Sequence, residues 1–73
     1  MPYQSVIVKR VSKIEHVEIL MQAFLSNGVD IIAGINDSTG YYIYGKIGIN
    51  KDKGLVSAGI YEYMKGVGLD EQG

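Results

Sequence analysis

The sequence predicts an α+β fold, a two-layer sandwich in the order β-α-β-β-β with one helix packed on a mixed four-stranded sheet. Three observations predict it. Two glycine-closed turns, Asn36-Asp37-Ser38-Thr39-Gly40 and Asn50-Lys51-Asp52-Lys53-Gly54, separate three runs of β-forming residues. Ser12 with Glu15 three residues on is a capping box, and it opens a segment of helical periodicity. Asn27-Gly28 then supplies the left-handed position that ends helices.

Tyr3 to Val11 reads as the first strand, and its consecutive Val6, Ile7 and Val8 suit a strand that is central or covered on both faces. The helix runs from about Lys13 to Ser26 or Asn27. Ile14, Val17, Leu20, Met21, Phe24 and Leu25 fall on one side at 3.6-residue spacing and form the lid over the sheet. Strands Val29 to Asn36, Tyr41 to Ile49 and Leu55 to Met64 come next. A strand-helix-strand start implies that the first two strands are parallel neighbours with a right-handed crossover.

Symmetric five-residue loops set Ile35 against Tyr41 and Ile49 against Leu55. Alternation then sends Val29, Ile31, Ala33, Ile35, Tyr41, Ile43, Ile47, Ile49, Leu55, Tyr61 and Tyr63 to the helix side. Gly45 lies opposite Gly59 on that side, where the missing side chains admit Phe24 or Met21. On the far face Asp30 lies opposite Lys46. Residues 1–64 make a single domain, and residues 65–73 lose periodicity and read as a flexible acidic tail.

A 73-residue chain buries only roughly 60% of its unfolded surface, so its stability is marginal. It has no cysteine with which to add a disulfide, which makes oligomerisation the expected support. Seven Lys+Arg against eight Asp+Glu, with the basic residues scattered, argues against a nucleic-acid partner, because phosphates need concentrated positive charge. No stretch approaches the ~20 apolar residues of a membrane span, and the N-terminus lacks a signal-peptide layout. The expected location is cytoplasmic.

Side chains suited to chemistry are sparse. His16 is the sole histidine and has no second histidine for a metal. Asp37, Ser38 and Thr39 are turn formers whose short side chains bond the local backbone. Gly34 to Gly40 joins two strands, whereas a phosphate cradle opens onto a helix N-terminus. Asp52 between two lysines lacks the other ligands of a calcium loop. These readings leave no catalytic residue, metal or cofactor, and the expectation is a protein that is not an enzyme.

The far face carries the functional expectation. Ile32, Tyr44 and Ile60 form a cross-strand row there, flanked by Tyr42 and Val56, and a contiguous apolar patch marks an interface. On the outer side of the helix, His16, Ile19 and Ala23 make a secondary contact candidate. The expected function is that of a small homo-oligomeric binding or regulatory module with a protein partner or small ligand. An alternative is a cleft between subunits, lined by some of the six tyrosines, that takes an aromatic or nucleotide-like ligand with Lys46 or Arg10 as counter-charge. Motif-free chains of this size are common among small virus-encoded and prokaryotic proteins.

Pro2 comes after Met1 and begins a strand that leads into a helix, which resembles the small tautomerase family over the first half of the chain. Members of that family use an N-terminal proline amine as general base and assemble as oligomers. The resemblance implies that Pro2 serves as the base once Met1 is removed, with Arg10 as the accompanying cation. With Met1 in place the proline nitrogen is an amide.

Overall fold

The computed structural model of the protein describes residues 3–69, with side chains from residue 6 onward. Strand β1 (Tyr3–Val11) leads through a 3-10 turn (Ile14–His16) into helix α1 (Val17–Ser26). Strands β2 (Asp30–Asp37) and β3 (Gly40–Gly48) and helix α2 (Lys53–Gly66) complete the order. The class is α+β, as expected, but the described residues contain three strands and two helices, where the sequence suggested four strands and one helix.

The residues expected to make the last strand, Leu55 to Met64, are helical, and the reason is local. Asp52 is not part of a hairpin loop. It is extended, and its side chain accepts from the amides of Gly54 at 2.8 Å and Leu55 at 3.2 Å, so two orphan donors of a helix N-terminus are satisfied. Val56, Ile60, Tyr63 and Met64 then lie along a single stripe of successive turns, and all four pack on the core. Alternation over the same residues puts apolar side chains at both parities, so it never favoured a strand as strongly as the 3.6-residue stripe favours a helix. Asp52→Ala is expected to cost about 0.5–2 kcal/mol in denaturant unfolding. A change within ~0.2 kcal/mol would show that the cap is not what starts α2.

Both helices end alike. After α1, Gly28 adopts φ 74°, its amide donates to Leu25 O at 3.1 Å, and that of Val29 donates to Phe24 O at 3.0 Å. After α2, Gly68 adopts φ 88°, its amide donates to Lys65 O at 3.1 Å, and that of Leu69 donates to Met64 O at 2.8 Å. Each is a Schellman motif, in which a left-handed residue turns the chain back and the next apolar side chain covers the last turn. Val29 and Leu69 are accordingly buried. Residue 64, the expected end of the domain, lies inside α2, and Leu69 of the expected tail joins the core.

In the sheet the strand order is β1-β3-β2 and both pairings are antiparallel. The expected parallel pairing of the first two strands is replaced by insertion of β3 between them, so β1 and β2 are the edge strands. Asp30 faces Lys46, as expected. An irregularity between Ile31 and Ala33 then adds one residue to β2, so Ile35 faces Tyr42 and Asn36 faces Tyr41. The turn tightens to Ser38-Thr39 between the facing Asp37 and Gly40. One extra residue inverts parity, which moves Ala33 and Ile35 from the helix side to the open side.

The core lies between the sheet and the two helices and is formed by Ile7, Val11, Leu20, Ala23, Phe24, Val29, Ile43, Ile47, Ile60, Met64 and Leu69. Leu20 and Phe24 are buried, as the helical wheel indicated. Ile14 and Leu25 are exposed and Ala23 is buried, because α2 lies against one flank of α1 and shifts the buried stripe toward it. Gly45 receives the Phe24 ring as expected, although Gly59 does not pair with it. Gly59 sits on α2 against the side-chain oxygen of Asn27, whose Nδ2 donates to Ala23 O at 2.8 Å, and this tightens the α1–α2 contact.

Candidate functional site

One face of the sheet carries the helices and the other carries no covering element among the described residues. Period-two alternation and the observed register put a three-by-three array on this open face. The β3 column in the middle is Tyr42, Tyr44 and Lys46. Beside it on β1 stand Arg10, Val8 and Val6, facing those three in that order. Beside it on β2 stand Ile35, Ala33 and Asp30 in the same order, with Ile32 in the bulge next to Ala33. Val6, Val8, Ile32 and Ile35 are 43, 46, 51 and 50% exposed, values far above those of the core. Tyr42 and Tyr44 are half-buried.

The charged groups sit at the ends of the array. Arg10 Nη1 donates to Thr39 O across the β2–β3 turn. The Asp37 carboxylate accepts from Thr39 N at 2.7 Å and from the Thr39 hydroxyl at 2.6 Å, and that hydroxyl lies 2.6 Å from Tyr42 Oη. The turn formers therefore bond the local backbone, as their chemistry indicated. The Thr39 hydroxyl, then the Thr39 amide, hold the Asp37 carboxyl below its ordinary pKa, and the Gly40 amide and the Arg10 charge act in the same direction. Because that pKa is depressed in the fold, the turn is held at pH values above the ordinary carboxylate range and loosens as pH falls through the lowered value. At the other end Asp30 and Lys46 are cross-strand neighbours.

Of the expected interface residues, Ile32, Tyr42 and Tyr44 come together on the open face. Val56 and Ile60 do not. They belong to α2, where Ile60 is 0% exposed and Val56 packs on the core, because the segment is helical and lies on the other side of the sheet. Of the secondary candidates, Ala23 is 0% exposed beneath α2, Ile19 packs partly on the core, and His16 is half-buried in the 3-10 turn. Pro2 lies outside the described residues. Val6, Val8, Arg10, Ala33 and Ile35 are the members that sequence reasoning placed elsewhere or left out. The parity of Val6, Val8 and Arg10 against Ile7 and Val11 was a signal available for three of them.

A shallow groove of about 260 Å³ opens at the far end of β2, lined by Ile14, Val17, Gly34, Ile35, Asn36 and Tyr41 to Ile43. It is smaller than the ~300–1,000 Å³ usual for a ligand pocket, and a single polar side chain, Asn36, lies on it apart from the tyrosines. No group of three or more histidine, aspartate or glutamate side chains able to hold a metal is brought together among the described residues. No helix among them is long and apolar enough to cross a membrane. No protein-family model, curated protein or solved structure matches the chain.

Proposed function

We propose that the chain is a small non-enzymatic interaction module that assembles with itself through the open sheet face. The observation that carries this reading is the set of half-exposed Val6, Val8, Ile32 and Ile35 around Tyr42 and Tyr44, on a face with helices behind it and none in front among the described residues. Contiguous apolar surface of this kind marks an interface, and tyrosine provides stiff contact area with a polar tip. A second copy would also supply the burial that a chain of 73 residues lacks on its own.

Tyr44 is the centre of the array, so Tyr44→Glu is expected to weaken association while leaving the helical circular dichroism unchanged. It should weaken the assembly by about tenfold or more, ~1.4 kcal/mol, because residues at the centre of an interface carry most of its binding energy. Leu25→Glu, on the exposed side of α1, should leave assembly intact. Molar mass by light scattering reads both. A monomeric unmodified protein, or dissociation by Leu25→Glu and not by Tyr44→Glu, would overturn the reading.

A further inference from the structure

We infer that the partner on the open face is a second copy of the chain seated about one particular two-fold axis, oblique to the strands, so that Arg10 of each copy meets Asp30 of the other. The inference rests on the self-association proposed above and goes beyond it in fixing the geometry and the residues that select it.

A two-fold dimer of this face is isologous, and its axis lies in the plane between the sheets. The three-by-three array then allows four simple placements. An axis along the strands puts Lys46 on Lys46 and lays Arg10 over Ile35 and Asp30 over Val6. An axis across the strands lays Arg10 over Val6 and Asp30 over Ile35, so both charges lose water to apolar neighbours of the other copy, which is costly. The diagonal through Arg10 and Asp30 stacks each charge on its own copy.

The remaining diagonal, from the Ile35 corner to the Val6 corner, exchanges the other two corners. Arg10 then meets Asp30 twice, once from each side, and Tyr44 meets Tyr44 at the centre. Tyr42 lies over Ala33 and Ile32, and Ile35 and Val6 each meet their own copy. Lys46 lies over Val8, where its aliphatic stem can cover the valine while the ammonium reaches the rim. Like charge meets like charge nowhere, and Val8 under the Lys46 stem is the one apolar side chain of the array that does not meet an apolar or aromatic one.

Two further features agree with this placement. It crosses the strands of the two sheets at a steep angle, which is one of the two ways in which sheets pack face to face. The bond from Arg10 to Thr39 O occupies one of the five N–H donors of a guanidinium and is compatible with a carboxylate arriving from the other copy.

The test is a charge exchange read by sedimentation equilibrium on the full chain. Arg10→Asp alone and Asp30→Arg alone should each weaken self-association by about tenfold or more, since each places two like-charged contacts in the dimer. An equimolar mixture of the two variants should associate as tightly as the unmodified protein, because each contact of the mixed dimer then pairs an acid of one variant with an arginine of the other, and opposite charges meet at both corners. Association that survives either single reversal, or a mixture that stays monomeric while both variants melt cooperatively, would overturn the placement and leave self-association through this face standing. If Arg10→Asp loses its fold through the Thr39 contact, Asp30→Asn takes its place. It should weaken the dimer and flatten its salt dependence, and an unchanged salt slope would overturn the inference. A monomeric unmodified protein would instead remove the self-association reading itself.

Discussion

Gly45→Val is expected to leave the protein largely unfolded at ambient temperature, and Gly45→Ala to lower its stability by about 1–3 kcal/mol, the usual cost of overpacking a core. A Cβ at position 45 would stand 2.7 and 2.8 Å from Cδ2 and Cε2 of the Phe24 ring and still closer to Cγ1 of Val29. Neither neighbour has room to retreat. Phe24 and Val29 are 0 and 2% exposed, and the bond from Val29 N to Phe24 O holds both residues to the same helix-ending turn. Position 45 lies at the middle of the central strand, between Ile7 and Ile31, so the backbone cannot shift without moving both edge strands. Phe24→Leu in the Gly45→Ala background should recover part of the loss, and a double-mutant cycle by chemical denaturation measures that coupling. Full additivity of the two changes would mean that ring and glycine are not in contact.

The signals of the first half that were legible are local ones, but the Ser12–Glu15 box does not start α1: the helix begins at Val17 after a 3-10 turn, and neither its cap His16 nor the turn's cap Lys13 makes a side-chain cap bond. Asn27-Gly28 ends α1 in the structure as it does in the sequence, and Gly28 takes the positive φ that the motif demands. Asp30 faces Lys46, and Gly45 sits beneath Phe24. The order of the strands was less accessible. A β-α-β start is compatible with adjacent strands and with a third strand inserted between them, and only the completed sheet decides.

Two misreadings have the same root, the ambiguity of short polar residues. Asn50-Lys51-Asp52-Lys53-Gly54 has the composition of a hairpin loop, but Asp52 serves equally well as a helix cap, and the periodicity of residues 55–64 determines which role it takes. Asn36 to Gly40 does make a hairpin. There the bulge between Ile31 and Ala33 absorbs the odd residue, so the register was correct at the start of β2, at Asp30 and Ile31, and displaced by one from Ala33 to the turn. That displacement put Ile35 on the open face. The candidate site was therefore legible at Tyr42, Tyr44 and Ile32, and obscured where parity depended on the bulge or on the fate of residues 55–64.

Ile60→Ala is expected to cost about 2–5 kcal/mol, the range for removing a large aliphatic side chain from a packed core. Ile60 is 0% exposed and lies in the stripe by which α2 joins Leu20, Ala23 and Phe24 to the sheet. Gly59 beside it brings α2 against Asn27, so the cavity left by truncation is bordered by a contact that cannot close further. The substitution should lower the denaturation midpoint and leave the affinity of self-association unchanged once folding is accounted for. Placement of Ile60 on an extended outer face would produce the opposite pattern, with little loss of stability and weakened association. Chemical denaturation and sedimentation of the same variant thus separate a helix that seals the back of the sheet from a strand that would have formed part of its front.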